Sequence, residues 1–475
     1  MFKPDMGRGM GAVAMFENVI EGIFSAAFLF AILRVTTPIL LPSLGALISE
    51  KAGVLNIGLE GMMLSSAFTG VVVSAYAQDW FGFETGVVVG PWLGLLLGVC
   101  VSLLLSFVLA LFHLDLNGDL FLSGIALNIF GSSATVAIMF ELTGDRGNTS
   151  TLASLQMPFI QLPAFINDIP IIGGFIYGVF DNQSVMTWIA FIAVFIVAFV
   201  LYRMPFGMHL RAVGENPEAA ASVGISVKRI RYLALLISGF FAGLGGIHMG
   251  MGYLQLFQRD MTNGRGFIAL VTPSLGGGTP AGTMVASLVF GFFDALGIRI
   301  GSLEIPSQLP QSIPYFATVL ALVIYALQRR ISQRVTEMRT ASGAAFDAAF
   351  WSSIQRVSIL HMLLMMIAVI GVVTGVSMLS APNGFGGAET AVPVGLLIGL
   401  ASIVLFAAGL PFVRDIFSIQ RHWQASALVT VVSLGIYLTL LLALFFEPLL
   451  ALVVGLALSA LVWYMIGGRV LMRAE

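Results

Sequence analysis

The residues able to do chemistry in this chain are few, and their spacing favours mechanical work over bond-making. No nucleophile and base, no paired Asp and no HExxH-type string share a helical face, so a membrane-embedded enzyme would lack its machinery. The glycines of Gly276-Gly277-Gly278-Thr279-Pro280-Ala281-Gly282 suggest a phosphate loop, but Thr283-Met284 follow where Lys and Ser/Thr would be needed. That stretch reads as a tight turn between two membrane segments. If ATP drives this protein, another polypeptide must hydrolyse it. Cys100 is the lone cysteine and the five histidines are scattered, which gives neither a disulfide framework nor a metal cluster. No cofactor is expected on the chain itself.

The strongest polar signal is the island RMPFGMHLRAVGENPEAAASVGISVKRIR, from Arg203 to Arg231. Positive-inside topology explains Arg203, Arg211, Lys228, Arg229 and Arg231. It does not explain the ordered middle. Gly214-Glu215 lead into Asn216-Pro217, a helix start; Glu218-Ala219-Ala220-Ala221 are strong helix formers; Gly224 is a stop. A short helix lying on the cytoplasmic face is a docking element, one that takes force from a soluble partner.

Polar residues inside apolar stretches carry a functional reading by default, because lipid penalises them. Asn56 and Glu60, in NIGLEGMM, open an expected span, where Asn56 can cap the helix and Glu60 faces the positive end of its dipole. Alternatively, Gly58 and Gly61 let a neighbouring helix or gate segment approach closely. Asn128 and Thr135 share one helical face, and the amide of Asn128 suits a bond between helices better than a ligand contact. Asp294 is expected to pair with Arg299 near the outer surface, and Arg259, Asp260 and Arg265 to lie in a solvated outer loop. Pro42-Ser43-Leu44-Gly45 and Pro273-Ser274-Leu275-Gly276 share a tetrapeptide; transporters place such helix breaks beside their substrate path. Asn56, Glu60, Asn128, Pro273 and Gly276 are therefore the candidates for path or gate.

These residues need a membrane scaffold to hold them. Hydrophobic residues make up 58% of the 475 and charged residues 10%, against about 25% charged in a soluble domain. The mean hydropathy is +0.99, and the net charge of -2 points to no nucleic acid. Clear span candidates are 58–77, 88–112, 119–142, 184–202, 232–252, 311–328, 357–379, 392–412, 425–446 and 448–466. Shorter or interrupted ones are 19–33, 36–49, 265–277 and 283–300, for about fourteen crossings in all. Lys3 and Arg8 precede an apolar stretch without a convincing cleavage site, so the first span is read as retained.

Lys and Arg placement puts 203–231, 329–356, the turn at Arg414 and Arg421, and the end at Arg469 and Arg473 on the cytoplasmic side, with both termini. The 143–183 connection, with Asp145, Asp168 and Asp181 against Arg146, falls outside. The expected class is an all-α polytopic membrane protein: a ten-span core over 1–340 and about four further spans over 341–475. An ion-coupled carrier would need several buried acidic groups and would leave the docking helix unused.

Glu218-Ala219-Ala220-x-x-x-Gly224 resembles the EAA---G coupling-loop signature of ABC importer permeases. The wider pattern is similar to the branched-chain amino acid/ribose-type permease family. GALISEKAGVLNIGLEGMML (45–64), LRAVGENPEAAASVGI (210–225) and GRGFIALVTPSLGGGTPAG (264–282) look most like permeases of nucleoside importers, with ribose-like sugars second. The resemblance covers roughly 36–328. It implies a ten-span core with the coupling loop between the sixth and seventh spans. It also implies ATP-binding cassette ATPase subunits docking at Arg211–Gly224, a second permease subunit, an extracytoplasmic solute-binding protein and a small-molecule substrate. ATP and magnesium would be used by the partner ATPase. Residues 357–466 lie outside the family pattern.

Overall fold

The computed structural model describes residues 26–166 and 173–301, with a few isolated positions beyond. Residues 26–298 belong to one compact unit. The elements in chain order are α1 (Ala26–Lys51), α2 (Leu59–Phe81), α3 (Phe83–Leu114), α4 (Leu120–Thr143), β1 (Phe159–Ile160), α5 (Gly173–Phe180), β2 (Gln183–Ser184), α6 (Val185–Arg203), α7 (Pro205–Glu215), α8 (Pro217–Ser222), α9 (Val227–Ile247), a π-helical turn (His248–Tyr253), α10 (Arg265–Leu275) and α11 (Pro280–Gly301). Among the described residues, seven helices are long and apolar enough to cross a membrane: α1, α2, α3, α4, α6, α9 with its π turn, and α11. The two strands form one short antiparallel pair, with Phe159 opposite Ser184 and Ile160 opposite Gln183.

The first correction concerns α1. The segments 19–33 and 36–49 are expected as separate spans, yet one helix runs from Ala26 to Lys51 with Pro38 and Pro42 inside it. Pro38 has no N–H, so the carbonyl of Arg34, four residues back, loses its helical donor. His248 Nε2 lies 3.0 Å from that oxygen and replaces the donor from another helix. Beside Pro42, Gly245 of α9 leaves room for the ring: a Cβ there would come within 2.9 Å of Pro42 Cδ. Neighbouring helices thus satisfy what the prolines remove.

The second correction concerns 265–277. Its helix, α10, has 11 residues, about 16 Å at 1.5 Å per residue, which is half a crossing. The spans 311–328, 357–379, 392–412, 425–446 and 448–466, and the boundary near 340, lie outside the described residues.

The bundle has an inner and an outer layer. The spans of α1, α2 and α9 are 67%, 78% and 67% buried, while α4 is 22% buried and leaves Phe121, Ile129, Phe130 and Ile138 for lipid. Small residues bring the inner backbones together. A Cβ at Gly246 would stand 2.1 Å from the Met63 carbonyl oxygen, and one at Gly239 would stand 2.4 Å from Ser106 Cβ. Serine hydroxyls bridge the same seams: Ser66 Oγ donates to Gly243 O at 2.8 Å and Ser102 Oγ to Gly239 O at 2.6 Å. Close packing and such bonds hold helices together where lipid supplies no hydrophobic drive.

Asp115, which ends α3, pairs with Lys228 in the first turn of α9 and accepts a bond from Tyr232. The α3–α4 connection therefore lies on the side of the basic loop. These hydrogen bonds, Lys228 first, hold the Asp115 carboxyl below its usual range. With that side taken as cytoplasmic, α6 and α1 both descend to it. The basic loop follows the fifth long helix counted from α1, and the sixth-span position rests on residues 1–25, outside the described residues.

Candidate functional site

The basic island folds into two helices at a sharp corner. In α7, Gly207, Leu210 and Val213 face the bundle and are buried. Gly214 seats this helix on the end of α1, where a Cβ would stand 2.1 Å from the Lys51 carbonyl oxygen and 3.3 Å from Gly53 N. Arg211 stacks 5.5 Å from the Tyr202 ring, and Glu215 is exposed. The chain then turns into α8. Asn216 caps it, its side-chain oxygen accepting from Ala219 N–H at 3.0 Å, and Pro217 takes the first helical position.

Ala220 is the buried residue of α8; Glu218, Ala219 and Val223 face outward, with Val223 74% exposed. Gly224 ends the unit at φ +86°, with nothing within 4 Å of where a Cβ would sit. Its glycine is required by backbone conformation alone. The result is a short capped helix that is anchored on one face and open on the other.

Lys51 links this corner to the rest of the site. The Gly276–Gly282 stretch is the expected tight turn: Gly277 and Gly278 both have φ +65°, and a Cβ at Gly276 would stand 2.3 Å from the Gly282 carbonyl carbon. At Gly278 a Cβ would come within 2.6 Å of Lys51 Nζ. Pro273 lies in the last turn of α10, whereas the matching Pro42 lies mid-helix in α1.

From Lys51 the chain runs back through 52–58 as non-helical backbone and begins α2 deep in the bundle. Three polar side chains receive it. Asn56 accepts from Gly58 N–H at 3.1 Å and donates to Ser238 Oγ at 3.0 Å. Asn128 accepts from Gly61 N–H and donates to Ile57 O, both at 2.8 Å. Glu60 does not cap its own helix; it caps α10. Its carboxylate accepts from Gly264 N–H at 2.8 Å, Gly266 N–H at 2.7 Å and Thr262 Oγ1 at 2.6 Å. Two helix N-termini therefore meet at one carboxylate, which suits their dipoles. Thr135 bonds only within its own helix, to Gly131 O and Ser132 O.

Asp294 pairs with Arg265, whose Nη2 and Nε lie 2.6 and 3.0 Å from its Oδ2; the side chain of Arg299, its expected partner, lies outside those described. The paired side chains are 14% and 12% exposed. Arg265 opens α10 and is not in a solvated loop. The α10–α11 turn brings Arg265 and Asp294 together. Arg259 and Asp260 are exposed and pair with one another. Sequence reasoning also passed over Arg34, Gln183 and His248. Arg34, an isolated charge within an apolar helix, was the available signal.

The sequence comparisons agree with this architecture. Residues 28–328 match the family model described as branched-chain amino acid transport system/permease component. The guanosine ABC transporter permease protein NupQ of Bacillus subtilis is 36% identical over 275 residues, 58% of this chain and 82% of that protein. The putative glucose ABC transporter permease protein TsgC13 of Haloferax volcanii is 34% identical over 282 residues, 59% of this chain and 80% of that one. The nucleoside ABC transporter permease protein NupC of Lactococcus lactis subsp. cremoris is 32% identical over 277 residues, covering 58% and 84%. No solved structure matches the chain. With a family model spanning well over half its length and seven candidate membrane helices among the described residues, the chain belongs to the permease component family of branched-chain amino acid transport systems and is a multi-pass membrane protein.

Proposed function

We propose that this chain is the permease subunit of an ATP-driven importer and moves nucleosides by alternating access. The observation that carries the reading is α8: a capped helix, buried at Ala220 and open at Glu218, Ala219 and Val223, on the side marked by the basic residues. A pair of ATP-binding cassette ATPases would dock there, with a second permease subunit alongside and an extracytoplasmic solute-binding protein delivering the ligand. ATP and magnesium are used in the ATPase, and this chain holds no cofactor.

Force on α8 passes to α7, and through the seat of Gly214 on Lys51 and Gly53 to the end of α1. The 52–58 segment carries it to the Glu60 junction, where α2 and α10 move as one body. Asn56, Glu60 and Asn128 thus act as the hub of the gate, and Pro273 and Gly276 as its lower corner. Nucleosides are favoured by NupQ and NupC, while TsgC13 supports sugars as the second reading.

The test is co-purification of the solubilised permease with its candidate ATPase, comparing wild type with the Glu218→Arg, Gly224→Pro double variant. Loss of the ATPase in a variant that stays folded supports the reading. Failure of wild type to bind it, or no change in the variant, makes an ATP-independent carrier the better account.

A further inference from the structure

The two halves of α1 are held by different parts of the bundle, and the join between them is Pro38. Below it, Gly214 of α7 seats on Lys51 O, and a Cβ at Gly45 would stand 2.8 Å from Ser238 O of α9. Above it, Gln183 donates from Nε2 to Phe30 O at 3.2 Å, and Thr37 Oγ1 lies 3.3 Å from Thr187 Oγ1 of α6. Arg34 stands about 26 Å from Lys51 at 1.5 Å per helical residue, so the upper half belongs to the outer side.

Arg34 and the π turn grip each other from both sides. His248, which opens the turn, directs Nε2 to Arg34 O at 3.0 Å, and Arg34 Nη2 donates to the carbonyl of Tyr253, which closes it, at 2.6 Å. The guanidinium also stacks 4.5 Å from the Tyr253 ring. The turn itself is seated on α2, where a Cβ at Gly250 would stand 3.1 Å from Ala67 O. It also carries the outer loop, with Met157 N–H donating to Met251 O at 2.8 Å. A cavity of about 270 Å³, lined by Phe30, Arg34, Gln183 and Gly252 among others, separates parts of α1, the β1–β2 pair and the turn. The outer half of α1 therefore has unfilled space beside it, where a close-packed interior would resist displacement.

An unbroken ladder would make α1 a single rod. Pro38 removes the bond to Arg34 O and leaves a joint that can bend. The replacement donor comes from His248, fully buried and on the element that rides on α2, so the angle of the joint follows the position of the π turn. π turns tend to occur at functional sites, and hinges are a few residues that absorb a change in backbone angle. We propose that Pro38 is the hinge at which α1 bends as the importer switches sides, and that His248 is the positioning residue that sets the angle of its outer half. This deepens the alternating-access reading above and rests on it.

The test separates a repaired hydrogen bond from a hinge. Pro38→Ala returns an N–H to Arg34 O within the helix, which makes His248 dispensable for stability and removes the joint. In the whole importer, His248→Leu should lower the unfolding midpoint and cut ATP-driven nucleoside uptake at least tenfold. Adding Pro38→Ala should restore the midpoint and leave uptake low. Pro38→Ala alone should keep the midpoint and ATPase co-purification and lose uptake by the same factor; should His248→Leu fail to reach the membrane, this variant decides alone. Recovery of uptake in the double variant, or uptake within twofold of wild type in Pro38→Ala, overturns the proposal. Spin labels on Ala27→Cys and Asp79→Cys, exposed positions at the outer ends of α1 and α2, read the bend directly in a Cys100→Ser background. Their separation should change between nucleotide-free and ATP-trapped wild type and stay fixed in Pro38→Ala. An equal change in Pro38→Ala overturns the hinge and leaves the importer reading standing. If wild type does not respond to ATP at all, that reading falls and the hinge falls with it.

Discussion

The Glu60 junction and the outer cavity are both polar, both buried in an apolar bundle, and differ in one respect. At the junction both oxygens of Glu60 and both side-chain polar atoms of Asn56 and Asn128 have partners. At the cavity, Arg34 Nε and Gln183 Oε1 have none. A fully satisfied buried network rigidifies the elements it joins, whereas a partly satisfied one carries a desolvation penalty. The contrast separates a part of the permease built to hold its helices together as one body from a part whose polar groups are less completely paired.

The largest effect should come from breaking the junction. Glu60→Ala leaves Thr262 Oγ1 and two N–H groups of α10 unpaired, and should lower stability by about 5 kcal/mol, since bonds to a charged acceptor contribute roughly 1.5–3 each. Thermal unfolding in detergent checks this, and Arg34→Gln should shift the same midpoint far less. Next comes the buried pair beside the junction. Arg265→Met alone should cost about 3–5 kcal/mol by stranding Asp294, and adding Asp294→Leu should recover much of it; a double-mutant cycle reads the difference.

Gly214→Ala should cost about 1–3 kcal/mol through overpacking against Lys51 O. It should also loosen the seat of α7, seen as faster amide exchange over 205–224. The smallest effect should be at Asp115. Its carboxyl sits below the ordinary 3.8, so its contribution is complete above that value and fades only as pH falls through the lower, folded value. Asp115→Asn should leave the pH dependence of unfolding unchanged between about pH 5 and 8, and a wild-type difference confined to acid would be the sign of the pair.

What was legible in the sequence follows the range of the forces involved. The α8 unit could be read because Asn216, Pro217 and Gly224 act within a few residues of one another, and each acts through its own backbone. The interhelical role of Asn128 was legible from its side-chain type. The continuity of α1 was not, because the donor that repairs the Pro38 break is His248, 214 residues from Arg34. Glu60 does lie in the first turn of its own helix, as its position suggests, but no local signal shows that Gly264 and Gly266 fold back onto it. The Arg265–Asp294 pair likewise depends on a turn that brings two helices together. The cavity was missed altogether, since Gln183 and Arg34 lie 149 apart by number and meet only through β2 and the π turn.

The most direct measurement is uptake of radiolabelled nucleoside by proteoliposomes that hold the permease with its ATPase and binding protein, with and without ATP supplied to the ATPase side. Import by alternating access predicts accumulation that requires ATP and disappears with the Glu218→Arg, Gly224→Pro variant. Equal uptake without ATP, or undiminished uptake by that variant, would contradict it.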